Sequence, residues 1–212
     1  MEPFKSHRGL IALLDTANVD TDQIIPKQFL KSIEKTGFGE HLFHDWRLSA
    51  DGKPNSDFPL NQERFRNASI LVTRNNFGCG SSREHAVWAV QQYGFKAVVA
   101  PWKELNGSRV PAFADIFRSN STKNGLLTVE LSGAEVEEIF QMVNRYKGLE
   151  MTVNLEEQRV TLHLSEEISF HFEIDRSIKE HLVRGLDEIQ QTLQNEDAIN
   201  NFETRHNPQR FG

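Results

Sequence analysis

Short apolar runs separated by polar, glycine-bearing stretches dominate the chain, a pattern that predicts strands and helices in alternation rather than a long-helix or all-β protein. Gly9 to Leu14 (GLIALL) reads as a buried strand, and the acidic, turn-prone DTANVDTD follows from Asp15 to Asp22. After Pro26, the spacing of Phe29, Leu30 and Ile33 predicts a short helix in a mobile loop, broken by Gly37 and Gly39. Leu48 to Asn61, with Asp51-Gly52 and two prolines, reads as a surface excursion.

The next stretch carries the clearest topology. Ala68 to Thr73 predicts a strand, Asn75 to Ser81 a loop, Ser82 to Tyr93 a helix and Phe95 to Ala100 a second strand. That order implies a parallel pair with a right-handed crossover. Ala112 to Asn120 reads as a helix and Leu126 to Leu131 as a strand. Ser132-x-x-Glu135 has the spacing of a capping box and opens a helix with Val136, Ile139, Phe140 and Val143 on one face. Met151 to Leu155 and Gln158 to Leu164 predict a hairpin, Ile168 to Ile174 another strand, and Arg176 to Arg205 a helical segment interrupted at Gly185, with a frayed tail.

Composition narrows the function classes. At 212 residues, one domain with appendages is expected over the whole chain, 1–212. A net charge of −6 disfavours a nucleic-acid partner, since total charge would repel a phosphate backbone. No apolar run reaches the 18 or so residues of a membrane span, and the opening MEPFKSHRGL lacks the apolar core of a secretory signal, so a cytoplasmic protein without a membrane partner is expected. The chain has one cysteine, Cys79, which excludes an internal disulfide and cannot supply the several thiolates of a zinc site or iron–sulfur cluster. No metal site is expected on this chain, and any cluster must come from another.

Candidate chemistry concentrates in NFGCGSSREHA, Asn76 to Ala86, where two glycines, two serines and Arg83 stand between a strand and a helix. Unpaired N–H groups of a helix's first turn favour anions, and a guanidinium can clasp a carboxylate through two parallel hydrogen bonds. Ser81-x-x-Glu84 also has capping-box spacing, so Ser81 reads equally as a structural cap. Cys79 with His85 as its base would make a thiol nucleophile, against a plain packed cysteine. His41, His44 and His85 form no recognisable metal triad. Asp20 and Asp22 share a face if the backbone is extended, and serve otherwise as loop acids or helix caps.

Four segments bring a family into view: Asp15 to Arg47 (DTANVDTDQIIPKQFLKSIEKTGFGEHLFHDWR), NFGCGSSREHA, FADIF at Phe113 to Phe117, and GLDEIQQTLQNEDAI at Gly185 to Ile199. In that order they resemble the small subunits of bacterial 3-isopropylmalate dehydratases, over nearly the whole chain. The resemblance implies an α/β fold, the swivelling β/β/α domain of the aconitase superfamily, with a mixed, barrel-like sheet and flanking helices. It implies a large-subunit partner carrying a [4Fe–4S] cluster and a dicarboxylate substrate isomerised by dehydration and rehydration in leucine biosynthesis.

By matching motif, Ser81 takes the place of the catalytic base, Ser82 and Arg83 those of substrate-carboxylate ligands, and Asp22 that of the active-site aspartate of a TD motif. The loop Lys27 to Gly39 is where family members meet the variable substituent, and Phe29, Leu30, Ile33 and Phe38 offer an isopropyl group apolar surface. The chain departs from the family at APWKELNGSRVPAFADIF, where Trp102 to about Pro111 reads as an insertion and Ala112 replaces a helix-capping serine. A methylmalate or citraconate hydratase subunit, a non-catalytic scaffold subunit and a stand-alone Cys79/His85 enzyme are the alternatives.

Overall fold

The computed structural model describes residues 1–31, 35–81, 83–185 and 196–206. Its centre is a mixed seven-stranded sheet in the order β6-β3-β2-β1-β7-β8-β9. Strands β1 (Ser6–Leu14), β2 (Ile70–Thr73), β3 (Ala97–Pro101) and β6 (Leu127–Leu131) run parallel to their neighbours. Beyond β1, strands β7 (Glu150–Asn154), β8 (Arg159–Leu162) and β9 (Ile168–His171) continue it antiparallel. The two halves differ in sequence for one reason. Every residue of ILVT and AVVAP is buried because helices cover the parallel half, whereas β7 buries only alternate residues.

Strand β1 begins three residues earlier than its apolar run, since Ser6, His7 and Arg8 pair with Asn154, Val153 and Thr152 of β7. Ser6 and Arg8 are exposed and His7 is half-buried against the Ser69 hydroxyl at 2.7 Å, so the stretch leaves no apolar signal. The expected strand, helix, strand unit is present as β2, α3 (Glu84–Tyr93) and β3, with Ile70 opposite Ala97 in parallel register. Helix α5 (Gly133–Arg145) packs on β3 and β1 through Val136, Ile139, Phe140 and Val143, and the Ser132/Glu135 capping box is formed on both sides. The short helix α1 (Thr21–Ile24) begins inside the stretch read as acidic and turn-prone, α2 (His44–Arg47) lies where no element was expected, and Arg176–Arg184 forms α6, ended by Gly185 in a left-handed conformation. A further helix spans Glu196–His206.

One expectation is corrected around the FADIF segment. Helix α4 runs Asp115–Asn124 with Ala114 as its N-cap, so Ala112 has no capping role; it is fully buried and its carbonyl accepts from the Phe77 N–H at 3.0 Å. Trp102 to Pro111, read as an insertion, contains an exposed two-stranded hairpin, β4 (Lys103–Leu105) and β5 (Ser108–Val110), with Asn106-Gly107 at its turn. Arg109 anchors it, lying 4.8 Å over Trp102 and pairing with Glu130 at 3.1 Å.

Burial sets the expected stability effects. Phe117 is 2% exposed and Leu105 63%. Phe117→Ala is expected to lower unfolding free energy by about 3–5 kcal/mol in urea titrations, against a change within about 0.5 kcal/mol for Leu105→Ser.

Candidate active site

Strands β1 and β2 are adjacent and parallel, so the loops that follow them leave the same sheet edge, where α/β proteins place ligands. These loops keep pairing after the strands end. The Asn18 N–H donates to the Asn75 carbonyl at 3.0 Å, Gly78 N–H to Val19 at 2.7 Å, and Thr21 N–H to Cys79 at 2.9 Å. The Thr21 hydroxyl then donates to the Ser81 carbonyl at 2.8 Å.

Gly78 is required here on two counts. Its φ is +76°, and a Cβ at this position would stand 2.2 Å from the Phe117 ring. Phe77 and Phe117 meet edge to face at 5.2 Å, and Phe77 exchanges backbone hydrogen bonds with Ala112 and Ala114. Gly80, at φ +89°, makes the turn that delivers Ser81 beside Thr21. The glycine loop is thus held between the Asp15–Asp22 segment on one side and FADIF on the other.

Asp20 and Asp22 do different jobs. Asp20 is the N-cap of α1, its carboxylate accepting from the Gln23 N–H at 2.7 Å while the Gln23 side chain accepts from the Asp20 N–H at 2.8 Å. Asp22, in the first turn, is ion-paired with Arg83 through one oxygen and lies 3.6 Å from the Lys27 ammonium through the other. The Arg83 hydrogen bond, opposed by some desolvation and aided by both cations, holds the Asp22 carboxyl below its ordinary value. It is a persistent anion and a poor proton acceptor.

The helix entrance differs from the capping-box reading. Helix α3 begins at Glu84 with Arg83 as an N-cap that makes no side-chain cap bond, and the Glu84 carboxylate accepts from the Asn124 amide at 2.9 Å. Ser81 is therefore no cap. It is an exposed residue three positions before a ten-residue helix. Ser82 and Ile33 lie outside the described residues.

Phe29 and Leu30 are half-buried in a 3-10 turn, Lys27–Lys31, rather than on an α-helix. The Phe29 ring stacks on His41 at 3.8 Å. Burial, with His44 nearby, lowers the His41 pKa. Phe38, expected to offer apolar surface, is 1% exposed and packs against His85 at 5.1 Å and Trp88 at 5.6 Å. It is a core residue because Gly39–His41 turns directly against α3.

The structure thus gathers Asp22, Lys27, Ser81 and Arg83, with Phe29 and Leu30 on the turn that starts at Lys27. Thr21 and Lys27 escaped sequence reasoning. Their signal was position alone, beside an acid already singled out.

Cys79 shows the opposite of activation. Burial first, then the Asp20 carboxylate, raise its thiol pKa, and His85 is in ring contact with Phe38 and Trp88. Among the described residues no group of three or more His, Cys, Asp or Glu could hold a metal ion, and a single cysteine does not fit a [4Fe–4S] cluster.

Comparison with known proteins identifies the fold and the family. Residues 1–134 match the family model described as Aconitase C-terminal domain, and residues 137–176 match one described as LeuD_N. A solved structure of 3-isopropylmalate dehydratase from Methanocaldococcus jannaschii has a TM-score of 0.62 at 22% identity, covering 93% of this chain and 99% of that one. The fold is that of the aconitase C-terminal domain. The 3-isopropylmalate dehydratase small subunit of Desulforapulum autotrophicum is 54% identical over 205 residues, 97% of this chain and 96% of the relative. That of Leptospira interrogans is 52% identical over 207 residues, 97% and 95%. The chain belongs to the family of 3-isopropylmalate dehydratase small subunits.

Two solution measurements check the electrostatics. A carboxyl with a depressed pKa stabilises the fold above its unfolded value and loses that contribution as pH falls through its folded value. The stability gap between wild type and Asp22→Asn should therefore be constant above about pH 5 and close below about pH 4; it will be modest because Asp22 is 43% exposed. Iodoacetamide at pH 7 should alkylate Cys79 more slowly than a free cysteine, followed by mass spectrometry.

Proposed function

We propose that this chain acts as the small subunit of a 3-isopropylmalate dehydratase, working with a cluster-bearing large subunit. It would interconvert 2-isopropylmalate and 3-isopropylmalate through 2-isopropylmaleate. Family membership over 97% of the chain supports the reaction class. The observation that carries the site assignment is the hydrogen-bonded placement of exposed Ser81 beside the Asp22/Arg83 pair.

In the forward direction the chain's own task is to remove the C3 proton of 2-isopropylmalate while hydroxide departs from C2. The product is an alkene diacid, to which water adds with the opposite regiochemistry. Ser81 takes the proton. A serine is a weak base unless its oxyanion is stabilised, and here the first-turn N–H groups of α3 and the excess positive charge of Arg83 and Lys27 over Asp22 supply that stabilisation. Arg83, with Ser82, holds a substrate carboxylate, against which negative charge develops as the C–H bond breaks.

Asp22 is a positioning residue in this scheme, since a carboxyl kept ionised by two cations is a poor shuttle for protons but fixes the Arg83 fork. Phe29, Leu30 and Ile33 meet the isopropyl group, with each methyl contributing about 1–3 kcal/mol of discrimination. Metal-assisted departure of the hydroxyl belongs to the partner chain, as the donor set here does not fit the cluster. No helix among the described residues is long and apolar enough to cross a membrane, and a cytoplasmic complex is the setting this reading calls for.

The test is reconstitution with the large subunit and assay against 2-isopropylmalate. The complex should turn over and the isolated chain should not. Ser81→Ala should reduce kcat by about 10²–10⁴ with little change in KM, while Cys79→Ala keeps its rate. Full activity in Ser81→Ala would remove the base assignment.

A further inference from the structure

Arg83 and Lys27 share one carboxylate but are otherwise unlike. Arg83 reaches Oδ1 of Asp22 with a side chain only 12% exposed, whereas Lys27 approaches Oδ2 at 3.6 Å and is 73% exposed. The first cation is fixed within the wall of the site. The second sits at its rim, on a flexible stem, with a contact long enough to exchange for a better one.

We infer that Lys27 is the second substrate-carboxylate ligand, taking the carboxylate on the carbon that bears the alkyl branch while Arg83 takes the other. The inference rests on the proposed dehydratase function and deepens it.

Three observations support it. Two cations against one aspartate leave a net single positive charge, which one bound carboxylate neutralises but a dianion exceeds, so both cations have a reason to engage. Because the two approach opposite oxygens of one carboxylate, they flank it from two sides, and the carboxyl carbons of a four-carbon diacid, separated by three C–C bonds of about 1.5 Å, lie only about 3–4 Å apart, so that one diacid presents its two charges close together in the same way. Finally, Lys27 opens the same five-residue 3-10 turn that carries Phe29 and Leu30. In both isopropylmalate isomers the branch and one carboxylate hang from one carbon, so a cation and an apolar surface on one short turn match that carbon's two substituents.

The test uses the assembled two-subunit complex and isopropylsuccinate, a diacid that lacks the departing hydroxyl, with its mono-amide at the carboxyl on the branched carbon. Calorimetric titration gives the affinity ratio of diacid to mono-amide. Wild type should prefer the diacid at least tenfold, Lys27→Gln should bring the ratio close to one, and Lys27→Arg should restore most of it. A merely structural lysine would weaken both ligands equally and leave the ratio unchanged, which would overturn the inference. Binding is read without turnover, so an inactive complex with the expected ratios would count against the dehydratase reading and not against Lys27.

Discussion

The backbone pairing that continues past the ends of β1 and β2 is the constraint on which the site depends. Two loops leaving a sheet edge would ordinarily be free to diverge. Here Val19 and Thr21 are joined to Gly78 and Cys79 by main-chain hydrogen bonds, so the serine loop is set by the same parallel alignment as the core strands. The pairing is possible because Asn18, Asn76, Gly78 and Gly80 accept positive φ, and because Phe117 fills the space that a side chain at 78 would need. Ser81, Asp22 and Arg83 are thus positioned by backbone geometry and core packing, at little cost in side-chain ordering at the moment of binding.

Charge completes what the backbone begins. Asp22 is the hub: it neutralises one cation, orients the other and remains ionised because of both. The result is a pair of cations around one carboxylate, with exposed Ser81 close by in the chain and the half-buried Phe29 and Leu30 on the turn that starts at Lys27, which under the proposed function makes half of a reaction centre. Among the described residues no group of three or more His, Cys, Asp or Glu could hold a metal ion. In the proposed function, with the substrate-holding half on this polypeptide and the metal-holding half on another, the two would approach around the diacid and exclude water as they close.

Much of this was legible in the sequence where one physical signal acted alone. The apolar-rich runs at 68–73 and 95–100, and the Ser132 to Glu135 capping box, correspond to the buried parallel strands at 70–73 and 97–101 and to a capped helix. Signals that compete leave more than one reading open. Ser81-x-x-Glu84 has the spacing of a box, yet Glu84 is drawn off by Asn124, while the box that does form upstream, Asp20 to Gln23, realises the helix-cap alternative for one of two acids that spacing alone does not tell apart. Phe38 looked available because local spacing is silent about tertiary cover; α3 supplies that cover. Lys27 was passed over because a lone lysine carries no periodicity, and its meaning comes only from the carboxylate it shares.

Amide hydrogen exchange of the isolated chain tests the preassembled frame most directly. The account predicts that the N–H groups of Gly78, Cys79 and Thr21 exchange about as slowly as those of the β1 and β2 core, before any partner or substrate is present. Exchange at loop-like rates at these three positions, with the strands themselves still protected, would contradict it and would mean that the partner builds the site.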